Sequence, residues 1–130
     1  MDPLADRVEL SLPPDSRYMR LARLMASGVA STCGLPVEDV EDFRIAVDEL
    51  CSTLIEMGDG APIRLAFDVR SDVLVVEGST GAGRAPDPDD ERLALSRQIL
   101  DVVVDSHRVA HLDGRVAFSA RKQVRGGGVG

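Results

Sequence analysis

Tryptophan is missing from this chain, and one tyrosine and three phenylalanines are its only aromatics. Base stacking, on which single-strand nucleic-acid binding leans, has little to work with. The net charge of −7 also works against the electrostatic attraction to phosphates that all nucleic-acid binders need. The sequence therefore predicts no direct nucleic-acid partner. Cysteine and histidine are scarce as well: Cys33 and Cys51 stand outside any CxxC spacing, with two histidines in the whole chain. That argues against a zinc site and a disulfide framework alike, and makes a reducing cytoplasm the simplest compartment. No stretch approaches the run of about 18 apolar residues a membrane helix needs. The N-terminus, "MDPLADRVEL", is acidic where a secretory signal would be basic and then apolar. The expectation is a cytoplasmic protein with no membrane partner.

What is present suffices for one domain. A chain of 130 residues buries roughly two-thirds of the surface its unfolded form exposes, without help from metal or disulfide. Its acidity is the ordinary means of staying soluble, and it also suits a partner with a basic surface.

"RVELSLP" alternates Val8, Leu10 and Leu12 with polar residues, the period of a strand, and Pro13 and Pro14 stop it. Asp15 or Ser16 can cap a following helix, in which Tyr18, Leu21, Leu24, Met25 and Val29 are spaced for one inward face and Gly34 is the stop. A second helix opens after Pro36, with Val40, Phe43, Val47, Leu50, Leu54 and Met57 in alternating steps of three and four. Its acidic "EDVED" sits at the positive end of the helix dipole. "MGDGAP" breaks it.

"IRLAFDV" and "DVLVVEG" read as a hairpin turning at Arg70, Ser71 and Asp72, the second strand more deeply buried. "STGAGRAPDPDD" reads as a long loop of the kind that holds ligands. A third helix is expected from Glu91 to Val104 with Leu95, Ile99, Val102 and Val103 inward; "ILDVVV" alone would also suit a strand. "HRVAHL", the turn dipeptide "DG" and "RVAFSAR" make a closing hairpin. The expected domain spans 7–123, with 124–130 a disordered glycine-rich tail. Strands joined by tight turns imply a largely antiparallel sheet, and three amphipathic helices can cover one of its faces, so the fold class is a two-layer α/β sandwich.

The second helix holds an oddity. At about 100° per residue, Glu49 and Thr53 lie one turn apart on the flank of the apolar stripe, beside Asp42 and Ala46. Two readings stand: Asp48, Glu49, Ser52 and Glu56 form a solvated face, or Glu49 borders a cleft beside the helix. Cys51 falls on the apolar stripe and reads as a small hydrophobe.

Taken together, "FRIAVDELCSTLIE", "VVEGSTGAG" and "GRVAFSARKQV" resemble the RsbW/SpoIIAB type of anti-sigma factor, most closely its actinobacterial UsfX-like members. These are serine kinases on the GHKL (Bergerat, histidine-kinase-like ATPase) fold, and the resemblance runs in element order over residues 7 to 123. In that family the helix carries a general-base Glu and, four residues on, an Asn that ligates Mg²⁺. The resemblance places Glu49 as the base and Thr53 at the usual Mg²⁺ position, where a hydroxyl replaces the amide; no metal ligand beyond it is assigned. In the family's D-x-G-x-G box, Gly81 and Gly83 match, and Ser79 stands where an Asp would bond adenine. Asp87, Asp89, Asp90 and Glu91 occupy the region of the glycine-containing lid, where they would repel a triphosphate. The resemblance thus implies ATP and Mg²⁺ as cofactors, with a degenerate site that binds them weakly or has lost them.

It also implies partners: a sigma factor, a STAS-type anti-anti-sigma factor and a second copy of the chain. Arg20, in the first helix, matches the arginine that contacts them, and equally suits a plain surface position. Two functions follow. One is an anti-sigma factor that binds and sequesters an RNA polymerase sigma factor. The other is an active ATP-dependent serine kinase that phosphorylates a STAS-type antagonist.

Overall fold

The computed structural model describes residues 7–83, 87 and 89–124. Within them run β1 (Arg7–Leu12), a 3-10 turn (Ser16–Tyr18), α1 (Met19–Thr32), α2 (Val37–Met57), β2 (Ile63–Arg70), β3 (Val73–Ala82), α3 (Glu91–Val103), β4 (Ser106–Leu112) and β5 (Arg115–Gln123). The five strands form one sheet in the order β1-β2-β3-β5-β4, every neighbouring pair antiparallel. The three helices pack on one face, as the strand and helix patterning predicted. Of the tail expected at 124–130, Val124 is instead held in the fold, donating its N–H to the Asp72 carbonyl at 2.7 Å and packing against the core, and 125–130 lie outside the described residues.

Local chemistry explains the boundaries. Asp15 caps the 3-10 turn by accepting the Arg17 N–H at 2.9 Å, and Gly34, at φ +85°, takes the left-handed conformation that ends α1. The extended Pro36 precedes α2, whose first turn carries Glu38 and Asp39 at the positive end of the dipole. Both hairpins turn on pairs with positive φ, Ser71–Asp72 and Asp113–Gly114, the geometry that matches strand twist.

The core lies between α2 and the sheet. Phe43, Val47, Leu50 and Leu54 of α2 are fully buried against Ile63, Phe67 and Val76, and the Phe43 and Phe67 rings meet edge to face at 6.1 Å. Lys122 ties the layers together: its ammonium donates to the Val103 carbonyl at the end of α3 (2.9 Å) and pairs with Asp42 and Asp39 of α2.

Three further expectations need correction. In α1 the buried residues are Met19, Ala22, Ala26 and Ala30, while Leu21 and Leu24 stand exposed. Small alanines let α1 approach α2 closely, so the helix buries its small side rather than its bulky one. In α3, Val103 is inward and Ile99 packs half-buried against the core as expected, but Leu95 and Val102 are exposed, and Ser96 and Leu100 are buried instead. Finally, the loop predicted from Ser79 begins later, because β3 continues to Ala82. Ser79 pairs with Arg64 of β2 and Ala117 of β5, and flanking strands on both sides hold the polar stretch extended; a bulge follows before Ala82 meets Arg115.

Candidate functional site

Glu49 and Thr53 do share a hollow. Glu49 is half-buried and Thr53 is 7 % exposed. Together with Ser52 and Glu56 they face Arg92, Leu93 and Ser96 of α3 across a cavity of about 230 Å³. The Thr53 hydroxyl donates to the Glu49 carbonyl at 3.0 Å, the back-bond by which a buried helical threonine satisfies itself. Arg92 closes one side by pairing with Glu56 at 2.8 Å. α3 therefore forms the opposite wall.

The glycines lie elsewhere. A Cβ on Gly81 would fall 2.8 Å from the Ala61 Cβ, and one on Gly83 would fall 2.7 Å from the Met57 carbonyl oxygen. The close approach that glycine permits is made here to the segment leaving α2. Gly83 is further held by a bridge to Gly58, by donating its N–H to the Gly114 carbonyl (2.9 Å), and by accepting from His111 Nε2 (2.8 Å). Its amide is thus already committed. Ser79 faces away from Glu49: it lines the helix-free side of the sheet with Arg64, Glu77 and Ala117. Its neighbour Thr80 has the helix-facing parity, is 2 % exposed, and donates to the Ala61 carbonyl at 3.2 Å. The structure brings Glu49 and Thr53 together and sets Ser79 apart from them.

The acidic stretch before α3 has a structural use. Asp90 is the N-cap, accepting the Arg92 N–H at 2.9 Å, and Asp87 accepts from the Asp89 N–H at 2.9 Å. A carboxylate thus occupies the helix end at which a phosphate would otherwise find amides. The hollow beside Glu49 and Thr53, at about 230 Å³, falls below the roughly 300 Å³ at which small-molecule sites begin, and the two carboxylates that line it, Glu49 and Glu56, disfavour the charge of a triphosphate. Cys51 adds no nucleophile: burial first, and the charge of Asp48 second, push its thiol up to about 12.

Arg20 lies on the outer side of α1, exposed, its guanidinium in no ion pair among the described residues, next to exposed Leu21 and Leu24. Arg23, one turn on, is instead spent on Asp48 of α2 at 2.7 Å. Leu21 and Leu24 also border an apolar groove of about 1040 Å³ between α1 and β1. Sequence reasoning missed this exposed pair because it assigned them to the core face. It also missed Ser96, whose place on α3 is set by which side of that helix docks.

A family model described as histidine kinase-like ATPase domain matches residues 12–118. The serine-protein kinase RsbW of Bacillus velezensis is 38 % identical over 56 residues, which cover 43 % of this chain and 35 % of that protein. The RsbW of Bacillus pumilus is 31 % identical over 86 residues, 59 % of this chain and 53 % of the relative. The chain thus spans about a third to a half of the length of these curated relatives. Among solved structures, the RsbU and RsbW domains of Rv1364c from Mycobacterium tuberculosis superpose with a TM-score of 0.72 at 15 % identity, covering 92 % of this chain and 33 % of that one. That likeness is one of fold.

Proposed function

Since the chain belongs to the histidine kinase-like ATPase domain family, we propose that it acts as a cytoplasmic anti-sigma factor of the RsbW type, binding and sequestering an RNA polymerase sigma factor. Its nucleotide site is degenerate, and the protein works as a homodimer released by a STAS-type anti-anti-sigma factor competing for the same face. The observation that carries the reading is the contrast between its two surfaces. The hollow beside Glu49 and Thr53 is small, acidic and walled by α3, whereas α1 displays an exposed Arg20, in no ion pair among the described residues, beside exposed leucines. An exposed arginine flanked by apolar side chains is the composition of a protein-contact patch. Sequestration needs such a patch and no turnover.

The second reading, an active ATP-dependent serine kinase on a STAS-type substrate, is favoured by one observation: Glu49 keeps a half-buried place opening on a cavity, as a general base requires.

The test is affinity capture of purified sigma factors by the folded protein, with Arg20→Glu alongside. We expect a stable complex with at least one sigma factor, weakened roughly tenfold or more by the charge reversal, with an unchanged melting curve. Recovery of no sigma factor by correctly folded protein, or a complex indifferent to Arg20→Glu, overturns the assignment or its surface respectively.

A further inference from the structure

The helix-free face of the sheet is net positive, in a chain whose overall charge is −7. Alternating with the core residues Leu65, Phe67, Val76 and Phe118, the strands place six arginines on it, Arg7, Arg64, Arg70, Arg108, Arg115 and Arg121, against three carboxylates, Glu9, Asp68 and Glu77. The two signs are also unevenly spread. Arg7 alone reaches all three carboxylates, and Arg70 is a second partner for the buried Asp68. Arg64, Arg108, Arg115 and Arg121 are exposed and in no ion pair among the described residues.

Between these side chains the floor is low. Ala66, Ser79 and Ala117 underlie a trough of about 690 Å³, and through Ser79 and Arg64 it continues into a recess of about 120 Å³ bordered by Arg115. From Arg115 to Arg121 along β5 is a rise of roughly 20 Å, so the unpaired guanidiniums are distributed over that length. Carboxylates are the groups that planar guanidiniums hold best in a protein contact. The ladders already use the backbone groups of this face, so an extended peptide, which docks at a sheet edge, finds little to pair with. A helix has its own backbone satisfied and is the element that covers sheet faces. Four turns of it, about 13 residues, span the same 20 Å. Nucleic acid is the poorer match, because Phe67 and Phe118 are buried and leave these strands no exposed aromatic on which a base could stack.

From this charge pattern we propose that the helix-free face of the sheet docks an acidic α-helix of a partner protein, whose Asp and Glu side chains pair with Arg64, Arg108, Arg115 and Arg121. The surface lies across the sheet from α1 and Arg20. It does not depend on the sequestration reading, and its test reads a different quantity from sigma-factor capture.

The experiment is an amide-resolved NMR titration of the full chain, at constant ionic strength, with a synthetic alanine-based helical peptide bearing glutamates along one face. Its twin with glutamine at those positions is the control, and a parallel titration uses single-stranded oligodeoxythymidine. Saturable shifts at Arg64, Ser79, Ala117 and Arg121 are expected with the glutamate peptide, and binding about tenfold or more weaker with the glutamine twin. Arg64→Gln combined with Arg121→Gln should weaken the glutamate peptide about tenfold or more. Both arginines are exposed and outside any ion pair among the described residues, so the melting curve of the double variant should match wild type. Shifts that grow without saturating, equal binding of the glutamine twin, or binding undiminished in the double variant overturn the proposal. Tighter binding of the oligonucleotide than of the peptide overturns it in favour of nucleic acid. Shifts of the same residues on concentrating the protein alone overturn it in favour of a second copy of the chain.

Discussion

Two residues apart on α2, Glu49 and Cys51 show how sharply one helical step changes a side chain's circumstances. Glu49 opens on a cavity, whereas Cys51 is sealed in the core, where burial and then Asp48 push its thiol up to about 12 from its usual 9.0. Below the lower value the thiol is protonated in both the folded and the unfolded chain and contributes no pH dependence. Above it the unfolded chain releases the proton and the folded chain does not, so stability falls with rising pH until the folded thiol ionises. Unfolding free energies from urea denaturation at pH 8 and pH 10.5 should therefore differ more in the wild type than in Cys51→Ala, by roughly 1–2 kcal/mol. Equal falls in the two proteins would place Cys51 in contact with solvent.

Among the elements, α1 turns a row of alanines to its neighbour and leaves leucine outside. Ala22, Ala26 and Ala30 are at most 1 % exposed, whereas Leu24 is 63 % exposed. A helix contact built on alanine is short, and an added isobutyl group has nowhere to go. Ala26→Leu is accordingly expected to cost about 1–3 kcal/mol or more, while Leu24→Ser stays within about 0.5 kcal/mol of wild type, both by urea denaturation. The reverse order would mean that the bulky face of α1 is the packed one. The exposed leucines beside Arg20 then have a ready use as a partner surface.

In the whole molecule, residues 12–118 match a family of ATPase domains, while the hollow beside Glu49 and Thr53 is small and lined by Glu49 and Glu56. Binding measured by calorimetry with ATP and Mg²⁺ is expected to be weaker than about 1 mM, or about −4 kcal/mol, and unaltered by Glu49→Ala. Micromolar affinity would favour the kinase reading over sequestration, and would require α3 to move away from Thr53.

How far the sequence alone went depends on the range of the interaction concerned. The α2 stripe, both hairpin turns, the stop at Gly34 and the interior place of Cys51 were legible, because each rests on periodicity or on turn chemistry within a few residues. Which side of α1 and α3 would dock was not legible, since two stripes competed and the choice was made by how closely α2 could be approached. Nor was the facing of Ser79, which the strands on either side of β3 decide by extending the ladder past the predicted loop start. The hollow beside Glu49 is assembled from α2 and α3, elements far apart in the chain, so it exists only once the layers have closed. The sequence by itself determined the elements and their order; tertiary packing alone determined which side chains were left facing a cavity, because a local period sets a face and only a neighbour covers it.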